Sequence, residues 1–284
     1  MTTKPSVREP SLPPSARATH STPAGPGYLL SPVPHDLLSG AHAAHRRVLD
    51  LAGRLTDDLV ARPSLLPGWT VGHVLTHLAR HADGHRRVFE AAAAGLPPVP
   101  PYPNGPAGRA EAITAGAGRP AAELASDLAQ AVGQLERAWD TAHVDVWRTG
   151  LGLHGDHQLV SVADLVFLRW REAAVHAVDL GLADRDGPAW SDLPAPYVDA
   201  EWAWTTGRLV ERVPPEVTVL LAPGDRPSRA YGHGPRLVTV RAMTDETLRW
   251  LTGRLPTAAV PADWPALAPW ERPAVSRPAQ GTRE

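Results

Sequence analysis

Apolar residues recur at intervals of three and four from Pro34 to Ala61, at Leu37, Leu38, Ala41, Ala44, Val48, Leu51, Leu55 and Leu59. That spacing gives a helix one buried stripe, so the segment predicts a first amphipathic helix, stopped by Pro63. Thr70 is a natural N-cap for a second helix carrying Val71, Val74, Leu75 and Leu78 and running to about Ala94. Proline and glycine crowd the stretch from Gly95 to Pro120, which reads as a wrapping loop. Leu124, Leu128, Val132, Leu135 and Trp139 place a third helix over about Ala121–Ala142. After an irregular glycine-containing stretch, Ser161 and Asp164 form a capping-box pattern, and a fourth helix spans Val162 to Leu180 with Gly181 as its stop. Four long amphipathic helices make a bundle.

The period changes afterwards. Tyr197–Val213 reads as one more helix, ended by Pro214-Pro215. Val217–Leu221 and Leu237–Val240 are short, β-branched runs on either side of the turn signal Pro223-Gly224-Asp225. Thr244 to Gly253 is a final helix, and Trp264 and Trp270 are expected to pack the proline-rich end. The fold class expected is α+β: a four-helix bundle over residues 31–190, then a small α+β domain over 191–272. Residues 1–30 read as a disordered proline-rich tail and 273–284 as a flexible one.

Composition narrows the function classes. The 284 residues carry a formal net charge of -2, so no basic excess calls for nucleic acid or an acidic membrane surface, and small-molecule partners fit better. Every apolar run is broken well short of the roughly 20 residues that span a bilayer. The absence of cysteine excludes disulfides, thiolate ligands and a cysteine nucleophile, with a reducing cytoplasm as the expected location.

Candidate chemistry lies on the second and fourth helices. Glu172 and His176, four apart, share a helix face about 5–6 Å from one another and can converge on one ion. A facing bundle helix would supply the third donor. His73, His77, His81 and His85 stand at intervals of four on the second helix. Spacing alone leaves His73, His77 and His81 open, while His85, among Gly84, Arg86 and Arg87, reads as wet. Two imidazoles and a carboxylate with a vacant position suit catalytic zinc, and iron(II) or nickel would also accept them. Asp179 could orient a ligating imidazole or lie on the surface. Arg169 and Arg171 read as solvated or ion-paired.

Leu66–Arg80, with its Pro67-Gly68-Trp69-Thr70 start and His77-Leu78, resembles the second-helix signature of the mycothiol-dependent maleylpyruvate isomerases of the DinB-like bundle superfamily. Arg169–Leu180 resembles the fourth-helix signature of the same family, and Trp250-Leu251-Thr252-Gly253-Arg254 its closing motif. The similarity spans roughly Leu37 to Trp270. It implies a DinB-like four-helix bundle with a small C-terminal domain, and it chooses His77, with Glu172 and His176, as metal ligands. It also implies that Arg254 reaches the cleft between domains, there binding a substrate carboxylate or steadying developing charge; a helix stop followed by a dipole-favoured cation is the structural alternative. The implied cofactors are a divalent metal, zinc foremost, and mycothiol or another low-molecular-weight thiol. The implied reaction is conversion of maleylpyruvate to fumarylpyruvate by thiolate addition, bond rotation and elimination. A thiol S-transferase acting on another electrophile and a non-catalytic metal-binding module are the alternatives. One departure is visible: His81 stands where the family commonly has asparagine.

Overall fold

A computed structural model describes residues 33–155 and 158–270, so both expected tails lie essentially outside the described residues. The first expected helix divides in two. α1 (His35–Ala52) ends in the turn Gly53–Thr56, and a single further turn, α2 (Asp57–Val60), follows. The break is fixed from outside, because Asp57 Oδ1 accepts the backbone N–H of Ala121 at 2.7 Å.

α3 (Val71–Ala93) starts at Thr70 as its residues require. The supposed loop that follows contains another helix, α4 (Gly105–Gly116), which begins with a proline in its first turn, where the missing N–H costs nothing. α5 (Ala121–Asp140) and the short α6 (Val144–Thr149) come next. The glycine-rich stretch is a hairpin, β1 (Leu151–His154) with β2 (Gln158–Ser161), pairing Leu151 with Ser161 and His154 with Gln158. Gly152 seats it against Val88 and Leu165, where any side chain would collide. α7 (Val162–Asp179) then starts from the capping box of Ser161 and Asp164.

The bundle is a ring in which α1 packs on α5 and α7, and α3 on the same two helices. α3 and α7 therefore face one another. Leu75, Leu78, Leu128, Leu135, Val166 and Leu165 are among the residues sealed in its core. α7 is buried on almost every side, because α8 (Ala195–Gly207) covers the face that α1 and α3 leave open.

A second apolar cluster lies behind it, built on β3 (Val217–Leu221), β4 (Arg229–Gly232), β5 (Arg236–Val240) and α9 (Thr244–Leu251). β4 was not legible in the sequence. The sheet order is β4-β3-β5, with β4 antiparallel and β5 parallel to β3. To reach the far side of β3 the chain crosses its start at Gly234, where a Cβ would run into the backbone of Glu216 and Val217. α9 starts at Thr244 as expected, with Met243 as its cap residue, and the Thr244 hydroxyl donates to Asp225 and accepts from Arg226. Trp264 packs edge-on to Trp250, and Trp270 lies beside both Arg171 and Arg212. Among the described residues no helix is long and apolar enough to cross a membrane.

Two expectations about exposure are overturned. His85 is buried, because the unforeseen hairpin covers its turn of α3. Arg169 is neither solvated nor ion-paired: at 0% exposure it donates to His45 Nε2 (2.9 Å) and the Leu78 carbonyl (3.0 Å), and it meets His81 Nδ1 at 3.3 Å.

Replacing Gly234 by alanine should destabilise the fold by about 1–3 kcal/mol, since backbone atoms cannot give way, and a thermal melt checks it. Burial lowers His45 to about 4, against the bond that it donates to Glu136, and His85 to about 3. The unfolded chain then binds more protons below pH 6.5, so this stability is present above 6.5 and drains away as pH falls towards 4. Melts of chelator-treated protein over that range should show Tm dropping; a flat profile would contradict the burial of these imidazoles.

Candidate metal centre

The histidine ladder of α3 is sorted by what each ring meets. His73 is consumed by the helix cap, its Nδ1 accepting the Thr70 backbone N–H at 3.2 Å while the ring stacks on Trp69. One turn later His77 points across to α7, and the edge of Trp69 closes over it. His77 Nε2 lies 2.9 Å from Glu172 Oε2 and 3.1 Å from His176 Nε2, and the last two are 3.2 Å apart. Among the described residues this is the one group of three histidines and carboxylates close enough to hold a metal ion. His81 Nε2 stops at 3.8 Å from Glu172 without closing on the other two donors. His85 stacks behind His81, with ring centroids 4.1 Å apart.

The donor set fits a small divalent cation. Bonds of about 2.0–2.1 Å in a tetrahedron give edges of roughly 3.3 Å, and the three observed edges fall just below that. Without a cation the cluster shares protons instead. Burial lowers His77 to about 4, despite its bond with Glu172, so the ring is neutral. Burial works to raise Glu172, but His81, His176 and His77 together hold it well below the usual carboxylate range. For His176 burial pulls downward, yet Asp179 and Glu172 outweigh it and the net shift is upward.

Outer groups fix the inner ones. Asp179 is 1% exposed, and its Oδ2 lies 2.8 Å from His176 Nδ1, somewhat off the ring's N–H direction. Carboxylates in this position orient metal-binding imidazoles and make them more basic. Burial opposes ionisation of Asp179, but His176 and Arg254 lower its pKa. Arg254 follows Gly253, whose φ of 71° ends α9, and donates to Asp179 Oδ2 at 3.0 Å and to the Thr252 carbonyl at 2.9 Å. It therefore touches the aspartate behind His176 and not the three donors. Arg109 was missed in the sequence because it lies in the supposed loop; from α4 it donates to His77 Nδ1 at 3.0 Å. Next to Trp69 an open depression of about 420 Å³ runs along residues 63–70, and none of the three donors lines it.

Comparison with known proteins agrees with this architecture. Two crystal structures superpose with a TM-score of 0.70, each covering 81% of this chain and 95% of the other. They are the mycothiol-dependent maleylpyruvate isomerase, at 22% identity, and a histidine-to-alanine mutant of it, at 21%. No curated protein matches the sequence. Residues 41–181, which include His77, Glu172 and His176, match the model of the mycothiol maleylpyruvate isomerase N-terminal domain. Through that bundle, residues 41–181 belong to the mycothiol maleylpyruvate isomerase N-terminal domain family.

Proposed function

We propose that this protein is a metal- and thiol-dependent cis–trans isomerase that converts maleylpyruvate, or a close analogue, to its trans isomer. One observation carries the reading: His77, Glu172 and His176 converge between α3 and α7 inside a bundle matched by the mycothiol maleylpyruvate isomerase N-terminal domain. In this reading residues 31–190 form the metal-binding domain and 191–272 the domain that supplies Arg254.

His77, Glu172 and His176 would hold the ion, most simply zinc. A divalent ion there supplies Lewis acidity, lowering the pKa of a thiol or water bound to it. The chain has no cysteine, so the sulfur must come from a small molecule, mycothiol or another low-molecular-weight thiol. A reducing cytoplasm suits that requirement. Asp179 keeps His176 oriented. Arg254 is held beside the cluster by Asp179 with 28% of its side chain exposed, which leaves N–H groups for a substrate carboxylate or for the enolate charge that forms beside a ketone.

Purified, zinc-loaded protein should consume maleylpyruvate only when thiol is present, and the thiol should be recovered unchanged. Stoichiometric loss of thiol would instead mark an S-transferase, and bound metal with no turnover a binding module. His77→Ala should lose both metal and activity; retained metal would remove His77 from the ligand set. Asp179→Asn should weaken zinc binding by about 10- to 100-fold in a competition titration, because the imidazole loses its orienting carboxylate.

A further inference from the structure

Arg109 holds a position that a metal-loaded site cannot keep. A guanidinium only donates, so its contact with His77 Nδ1 requires that nitrogen to carry a lone pair, which leaves Nε2 as the ring nitrogen that bears a proton. Nε2 is the atom that faces Glu172 and His176. A neutral imidazole that binds a cation through Nε2 carries its proton on Nδ1, and two donors would then confront one another at 3.0 Å. Loading the site must therefore release Arg109 from His77.

The released cation has no carboxylate to go to. Among the described residues no Asp or Glu lies within ion-pair reach of Arg109, whereas Arg80, Arg119 and Arg171 are each paired with one. What lies beneath it is the ring of Tyr102, with its centroid 5.7 Å from the guanidinium carbon. A half-buried, planar, unpaired cation beside the cluster suits one class of ligand, a small organic carboxylate, which it can bind with two parallel hydrogen bonds.

We propose that Arg109 is a carboxylate-binding residue of this site, engaged by His77 while the site is empty and turned to the substrate's carboxylate once it is filled. This rests on the isomerase reading for the identity of the substrate. It adds a second cation to Arg254, on α4 rather than beyond α9, so that a dianionic substrate is held from two elements.

The test is calorimetric titration of the zinc-loaded full chain, without thiol, using maleate as the probe and its neutral dimethyl ester as the control. Maleate should bind and the ester should not. Arg109→Gln should weaken maleate binding by about tenfold or more, Arg109→Lys should recover part of the loss, and zinc content should stay at the wild-type level. The proposal is overturned if maleate does not bind the wild-type protein, or if Arg109→Gln binds it within about twofold of wild type. It is equally overturned if Arg109→Gln sheds zinc as His77→Ala does, since Arg109 would then be a mere support for His77. Carboxylate binding that depends on Arg109 in a protein without isomerase turnover would overturn the isomerase reading and leave this one standing.

Discussion

Two imidazoles and a carboxylate meeting between α3 and α7 are a constraint that much of the surrounding structure serves. Three electron-rich atoms at 2.9–3.2 Å from one another repel unless a proton or a cation stands among them. Burial raises that cost, since little water can reach the atoms to screen them. The answer is a graded shell of charged and polar groups: Asp179 behind His176, Arg254 behind Asp179, Arg109 behind His77 and His81 beside Glu172. Each outer group fixes where a proton or charge can sit on the inner one. Asp179 stands behind His176 before any cation arrives, so on that side little of the binding energy goes into rearrangement, and the contact of Arg109 with His77 is the one to be given up.

Arg169 shows how far into the core this polar system extends. It is a cation with no exposed surface and no direct carboxylate partner, held by His45, the Leu78 carbonyl and His81. His45 passes the interaction on to Glu136 at 2.7 Å, near the rim of α5. All four bundle helices thus contribute to one polar chain: His45 from α1, His81 from α3, Glu136 from α5 and Arg169 from α7. Such a chain opposes sliding of one helix past another, because a shift of one turn would strand a buried charge.

α7 also ties the bundle to the unit behind it. Arg171, next to Glu172, donates to both oxygens of the fully buried Glu201 on α8, which also receives Tyr197 and Thr205. Trp270 lies against the guanidinium groups of both Arg171 and Arg212, and Arg254 reaches back to Asp179. One helix therefore presents the carboxylate and imidazole of the centre on one side and receives the C-terminal unit on the other. That arrangement sets Arg254 relative to the cluster.

Local chemistry carried much of the fold. Apolar spacing was enough for the four long helices, because a stripe at intervals of three and four leaves a helix few other ways to bury itself. Ser161 with Asp164 and Gly181 marked the ends of α7 by capping and left-handed backbone geometry. The pairing of Glu172 with His176 followed from helical pitch alone. The third donor was not decided by pitch: the local cap at Thr70 takes up His73, Trp69 closes over His77, and Arg169, distant in sequence, meets His81, so that His77 is the histidine that closes on Glu172 and His176. α4, β4 and the hairpin over His85 were equally hidden, because short elements rich in glycine or proline draw their stability from the surfaces they cover. The sequence by itself determined which helices exist and which residue types could hold a cation. Only the tertiary structure brought His77, the histidine that the family resemblance names, up to Glu172 and His176, and it decided how deeply the arginines lie and what covers them, because those outcomes depend on contacts between segments that no local pattern encodes.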